Sequence, residues 1–249
     1  MNLDPKQFDN YSSLKQAYDK IKSHIEPQFS VQQEQQTLMF LANLLKTNEQ
    51  MNLTSITDYD QVMELHLLDS LSVLPYLPLE NNLSLVDVGT GAGLPGIPLK
   101  IARPDLNLTL LDATKKRLRF LDESLELLNL QENTQTLHGR AEEIGRRKPY
   151  RESFDLAIAR AVASLDVLVE ICLPLVKLNG FFVAMKGVAT EEIQAAEKAI
   201  EILGGDIADI IQFKLPISDA VRSLVLIEKI KETPKKYPRN FANIKNKPL

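Results

Sequence analysis

Residues 85–99 read LVDVGTGAGLPGIPL: a short apolar run interrupted by Asp87, a turn carrying Gly89, Gly91 and Gly93, and renewed apolar character beyond Pro95. A buried strand that passes through glycines into a helix is how a doubly wound sheet begins, and a nucleotide-like ligand binds at the carboxyl end of such a strand. Glycine supplies the tight turn and lets a ligand approach the backbone. Pro95 suits the first turn of the following helix, where a missing N–H costs nothing.

Taken literally, Gly91, Gly93 and Gly96 form G-x-G-x-x-G, and Asp112 lies 19 residues after Gly93. That pattern admits an NAD-dependent oxidoreductase. Asp87 argues against it, because a carboxylate at the mouth of the turn would face the pyrophosphate of a dinucleotide across a low-dielectric cleft and repel it. The same carboxylate favours a ligand bearing an ammonium and a sulfonium, which describes S-adenosyl-L-methionine. Asp112, at the end of the next strand, is placed to accept hydrogen bonds from a ribose diol.

Downstream, short apolar runs alternate with amphipathic ones, as in parallel strands joined by crossover helices. Strands are expected at 85–88, 108–112, 134–138, 154–159, 181–186, 207–215 and 223–230, with helices near 97–102, 115–128, 165–176 and 191–203. No helix separates the last two strands, so they pair as an antiparallel hairpin at the sheet edge. Upstream, the first 80 residues read as helices. Phe8, Tyr11, Leu14, Tyr18, Ile21 and Ile25 share one face, Ser30 caps a second helix, NEQMNLTSITDYD is a loop, and Asp60 caps a third.

The 249 residues suffice for a buried core. Cys172 is the only cysteine, which excludes a disulfide framework and cysteine-based zinc sites; its apolar surroundings make it a buried small hydrophobe. The three histidines form no metal pattern. No apolar run is long enough for a bilayer and the N-terminus has no targeting pattern, so a cytoplasmic protein without membrane contact is expected. Residues 1–80 carry 5 Lys/Arg against 11 Asp/Glu, while the remainder carries 24 against 22. The basic residues cluster at 115–119, at 140–151 and in a tail that includes Lys229, Lys235, Lys236, Arg239, Lys245 and Lys247. Such clusters are either solvated faces or the footprint of a polyanion.

HGRAEE at 138–143 and ARAVASLD at 159–166 follow the third and fourth strands and converge on the cleft. Ala141 and Glu142 could hold an adenine or simply open a short capped helix. Arg160, directly after an apolar strand, could bind a carboxylate or phosphate through its fork or make a surface ion pair. Lys186 at the end of FFVAMK invites the same two readings. The cleft segments contain neither an Asn-Pro-Pro-Tyr tetrapeptide nor a cysteine nucleophile, and no general base is assigned. An acceptor needing no deprotonation fits: guanine N7 has a free in-plane lone pair and requires positioning and desolvation.

The motifs MNLTSITD at 51, HLLDSL at 66, DVGTGAGLPGIPL at 87, LLDATKKRLRFL at 110, HGRAEE at 138, ARAVASL at 159, LPLVKLNGFFVAMKG at 173, TPKKYPRN at 233 and the closing NKPL resemble the bacterial 16S ribosomal RNA guanine-N7 methyltransferases, also called glucose-inhibited division protein B. The resemblance runs from about Gln50. It implies a class I S-adenosylmethionine-dependent methyltransferase with a Rossmann-like seven-stranded sheet, its last strand antiparallel. Residues 1–80 would be a helical N-terminal extension packed on the core, and 81–249 a methyltransferase domain with a basic tail. By the same resemblance Gly89, Leu94, Asp112, Ala113, Thr114, Ala141, Glu142 and Arg160 line the cofactor cleft, together with Asp87 and Gly91 of the turn. Arg160 and Lys186 are candidate substrate-positioning residues. The substrate would be a guanine in the decoding-region loop of small-subunit rRNA, with Lys235, Lys236 and Arg239 on its phosphates. A monomer is expected. A non-catalytic RNA-binding assembly factor stands as a further alternative.

Overall fold

The computed structural model describes residues 4–249. Seven strands, β1 (Ser84–Val88), β2 (Asn107–Asp112), β3 (Thr134–His138), β4 (Phe154–Arg160), β5 (Val176–Lys186), β6 (Gly205–Lys214) and β7 (Val221–Lys229), form one sheet in the order β3-β2-β1-β4-β5-β7-β6. The first five run parallel. β7 is antiparallel to both β5 and β6, so the last strand lies inside the sheet and β6 forms the edge.

The period of two along each strand divides the side chains between two buried layers. Leu85, Leu108, Leu110, Leu156, Ile158, Val183 and Leu224 face one layer; Val86, Val88, Leu111, Ala157, Ala159, Phe182 and Val225 face the other. The first layer is covered by α1 (Tyr11–Ile21), α2 (Val31–Met51), α3 (Tyr59–Val62), α4 (Asp69–Leu71), α5 (Gly96–Ala102) and α6 (Lys115–Leu128). The second is covered by α7 (Ala141–Ile144), α8 (Leu165–Cys172), α9 (Thr190–Ile202) and α10 (Phe241–Asn246). Cys172 is fully buried in the second layer.

The helical extension is joined to the sheet layer by polar anchors as well as by burial. Ser30 and Gln33 form a reciprocal capping box at the start of α2. Gln33 Nε2 also donates to the Ile101 carbonyl of α5 at 2.9 Å. Gln36 Nε2 reaches the Leu128 carbonyl at 2.8 Å, and Asn43 Nδ2 reaches Ser124 Oγ at 3.0 Å, both on α6.

Three local expectations are corrected. α2 runs four residues into the expected loop, to Met51, and Asn52 stops it with a left-handed φ of 49°. The third helix is capped by Asp58, whose carboxylate accepts from Gln61 N at 3.0 Å, and not by Asp60, which pairs with Lys20. Between α3 and α4 the helix widens into a π-helical segment, Met63–Leu68. This wide turn buries Glu64, His66 and Asp69 together with the apolar face.

Candidate functional site

The glycine turn leaves β1 with Gly89, Gly91 and Gly93 at φ of 71°, 59° and 88°, a region that costs an L side chain about 1–2 kcal/mol. A Cβ on Gly89 would stand 2.8 Å from Val162 Cγ2, so the turn and the loop after β4 touch only because residue 89 has no side chain. At Gly91 a Cβ would have nothing closer than 3.9 Å, which leaves that backbone open to a ligand. Leu94 is buried behind the turn.

Asp87 does not stand at the mouth of the turn. Strand alternation puts it on the face of Leu85, beneath α5, where it is 1 % exposed. Its Oδ2 accepts from Thr90 Oγ1 at 2.7 Å and from Gly96 N at 2.9 Å, and so ties the two ends of the turn together. Its Oδ1 is buried without a partner. Burial pushes the carboxyl pKa up to about 6, opposed by those two hydrogen bonds. Asp112, on the same face, is also committed: Oδ2 accepts from Gly91 N at 3.1 Å, Oδ1 from Thr114 N at 2.7 Å, and Arg117 Nη1 lies 3.5 Å away. Both carboxylates therefore set the shape of the turn and load the cleft with negative charge from below.

Two chambers open at the carboxyl ends of the strands. The smaller, about 150 Å³, lies over β1, β2 and β3 and is bordered by Gly89, Asp112, Ala113, Ala141, Glu142 and Val162, with Ile171 and Phe241 closing it. Glu142 is 6 % exposed, and burial raises its carboxyl above the usual range. Ala113 is exposed at its rim; Thr114, the next residue, is exposed at the start of α6 and does not line the chamber. The larger chamber, about 720 Å³, opens over β4 and β5 and is walled on the far side by the loop 53–56 and the π-helical segment. Ala161, between the two chambers, holds a φ of 55° without being glycine, which is the kind of local strain that collects at functional sites.

Arg160 and Lys186 both border the larger chamber, from opposite layers of the sheet. Arg160 Nη1 donates to the Leu65 carbonyl at 3.0 Å and to Asp69 Oδ2 at 2.9 Å. Arg222 Nε of β7 donates to the other Asp69 oxygen at 2.8 Å, so one buried carboxylate holds two guanidinium groups under the chamber. Lys186 Nζ donates to the Ala163 carbonyl at 2.8 Å and pairs with Glu192 at 2.7 Å. His66 Nε2 lies 2.8 Å from Thr54 Oγ1, and burial together with the nearby Arg160 lowers its pKa to about 4, so it is neutral at pH 7. The sequence alone gave no role to Asp69, Arg222, His66 or Thr54; His66 and Asp69 lie in the motif HLLDSL and Thr54 in MNLTSITD, whereas nothing around Arg222 marked it.

The basic tail divides. Lys235 and Lys236 are exposed, but Arg239 is not available to phosphates as expected: its Nε and Nη2 fork onto Glu170 of α8 at 2.9 and 2.6 Å, and that carboxylate is fully buried. Lys229 is likewise internal, bonded to Thr233 Oγ1 and the Leu173 carbonyl beside Glu152, with burial lowering its pKa to about 8. Arg151 spends its guanidinium on the carbonyls of Gly145, Thr233 and Tyr237. Outward-facing basic residues remain at Lys115, Lys116, Arg140, Arg146, Arg147 and Lys148. Among the described residues no cluster of three His, Cys, Asp or Glu side chains is arranged to hold a metal ion, and no helix is long and apolar enough to cross a membrane.

The family model described as rRNA small subunit methyltransferase G matches residues 33–221. Ribosomal RNA small subunit methyltransferase G of Acetivibrio thermocellus is 50 % identical over 206 residues, 83 % of this chain and 84 % of that protein. Its namesake in Alkaliphilus metalliredigens is 48 % identical over 237 residues, 95 % and 97 % of the two chains. Among solved structures, a SAM-dependent methyltransferase from Aquifex aeolicus superposes with a TM-score of 0.52 at 16 % identity, covering 71 % of this chain and 97 % of that one. TrmN from Thermus thermophilus gives 0.51 at 15 % identity, over 66 % and 48 %. These two likenesses bear on the fold, which is that of class I methyltransferases.

Proposed function

The chain belongs to the rRNA small subunit methyltransferase G family, and from that premise we propose that it transfers a methyl group from S-adenosylmethionine to N7 of a guanine in the decoding-region loop of 16S rRNA. The observation that carries the reading is near-half identity over 95 % of the chain to a protein of that name. The oxidoreductase reading of the glycine turn falls with it. The residues present also suit the methyl donor: an open glycine backbone at Gly91 and two buried carboxylates beneath the turn to favour a cation.

Gly89, Gly91 and Leu94, with Asp87 and Asp112 below, would form the floor of the donor site, and Ala113, Thr114, Ala141 and Glu142 its nucleoside end. When bound, the donor would offer a methyl carbon on its sulfonium: the N7 lone pair would form the new N–C bond as the C–S bond breaks in line with it, the neutral thioether S-adenosylhomocysteine leaving and the positive charge passing to the guanine. The protein's part is then to hold the base and exclude water. The larger chamber is suited to a nucleobase, with Ile56, Leu65 and Met185 as apolar surfaces and Arg160, Lys186 and His66 as polar edges. Arg160 keeps Nε and Nη2 for a substrate oxygen, because only Nη1 is bonded within the described residues. Lys235 and Lys236, with the exposed basic residues around α6 and α7, would take rRNA phosphates, and the protein would work as a cytoplasmic monomer without a metal. Incubation with tritiated donor and small subunits or 16S rRNA lacking the modification should label one guanine. Labelling of no nucleotide in either form would overturn the reading.

A further inference from the structure

The C-terminal stretch reads as a basic tail, yet it is fastened to the sheet layer at several points. Glu170, fully buried in α8, accepts from Arg239 Nε and Nη2 and also from the Arg239 backbone N at 2.8 Å. Arg239 Nη1 turns the other way and donates to the Lys247 carbonyl at 3.0 Å. Between them Asn240 caps α10 by accepting from Asn243 N at 3.0 Å, and Ile244 is fully buried beneath the helix. The first residue of that helix is Phe241, whose side chain borders the small chamber beside Ile171 and Glu142. The guanidinium carbon of Arg140 stands 5.9 Å from the ring centre. Phe241 is the only aromatic side chain among the described residues that line this chamber.

We propose that Phe241 is the aromatic wall of the donor's adenine site and that the Glu170–Arg239 pair positions it there. The inference rests on the reading that the small chamber takes the nucleoside end of S-adenosylmethionine. A purine offers a flat π face, and an aromatic ring beside it is worth about 1–3 kcal/mol per base. The other apolar walls, Val88, Leu111, Ala141, Val162 and Ile171, are aliphatic and offer no aromatic face. Ion pair, cap and buried Ile244 hold the ring in advance, so little ordering is lost when the ligand arrives.

The chain contains no tryptophan, so Phe241→Trp installs a single reporter at the proposed contact. Titrating that variant with S-adenosylhomocysteine should quench its emission saturably, with the dissociation constant found by calorimetry, while L-methionine, which lacks adenine, should leave it unmoved. Phe241→Ala should weaken S-adenosylhomocysteine binding about five- to a hundredfold, and Phe241→Leu should recover part of the loss. Arg239→Lys in the Trp background should bind with a smaller quench at saturation if the pair positions the ring. Wild-type binding with an unaltered constant in Phe241→Ala, or unmoved emission at saturation in Phe241→Trp, overturns the assignment of Phe241; an unaltered quench in Arg239→Lys overturns the positioning role. Failure of the wild-type chain to bind S-adenosylhomocysteine at all would instead remove the donor reading, and the inference with it. Should Phe241→Ala not fold, the Trp titration decides.

Discussion

Asp87 is a carboxyl group whose charge is costly to keep and useful to a cation. Its folded pKa of about 6 lies above the ordinary 3.8. The native state therefore holds the proton over a window in which the unfolded chain has lost it, and stability falls as pH rises from about 4 to about 6, by about 3 kcal/mol for this group. Asp87→Asn keeps an acceptor for Thr90 and Gly96 and should lose that slope, which denaturant titrations of both proteins at pH 4.5 and 7 will detect as a difference. The same ionisation favours a sulfonium ligand. Calorimetry should thus find wild-type affinity for S-adenosylmethionine rising through pH 6, with Asp87→Asn weaker at pH 7.5 and flatter. Asp87→Ala leaves two buried donors unpartnered and should cost a further 1–3 kcal/mol or so for each. The acid was legible in the sequence, and its approximate place in the turn; its inward orientation follows from the strand alternation that puts Leu85 on the α5 side.

Among the elements, the strands were the most legible, because their apolar runs alternate with amphipathic helices; β3 and α6 have the bounds expected from sequence. The π-helical segment was not. A π-helical turn takes up about one residue more than an α-helical turn, so the stripe Val62, Leu65, Leu68 and Leu71 expected from α spacing is broken: Leu65 is only partly buried and borders the larger chamber, while Met63 and Leu67 are buried. What the wide turn achieves is the burial of Asp69 between Arg160 of β4 and Arg222 of β7, three residues too distant in sequence to be associated by spacing. Asp69→Asn leaves two guanidinium groups without their counter-charge. The expected loss approaches the roughly 3–5 kcal/mol of a broken buried pair, reduced because both arginines retain some solvent, and chemical denaturation will measure it. For the same reason the larger chamber was invisible beforehand: its walls come from a loop in the extension, two parallel strands and the inserted β7.

Across the whole molecule, charge counted along the chain overstated the surface available to RNA. Lys235 and Lys236 point outward, whereas Arg239, Lys229 and Arg151 are spent inside. Replacing Lys235 and Lys236 with Ala should lower the slope of log affinity against log salt by about 1.4, at roughly 0.7 per phosphate contact on single-stranded RNA, with no change in melting temperature. Arg239→Ala should instead destabilise the fold by a few kcal/mol, since it leaves the Glu170 carboxylate buried and unpaired; melting curves separate the two outcomes. The placement of β7 has a consequence for synthesis. β6 emerges from the ribosomal exit tunnel before the strand that must sit between it and β5, so the nascent chain carries β5 with an open pairing edge until residues 221–229 are out. Translation arrested short of residue 221 should yield chains that a holdase chaperone retains, and release should coincide with exposure of β7.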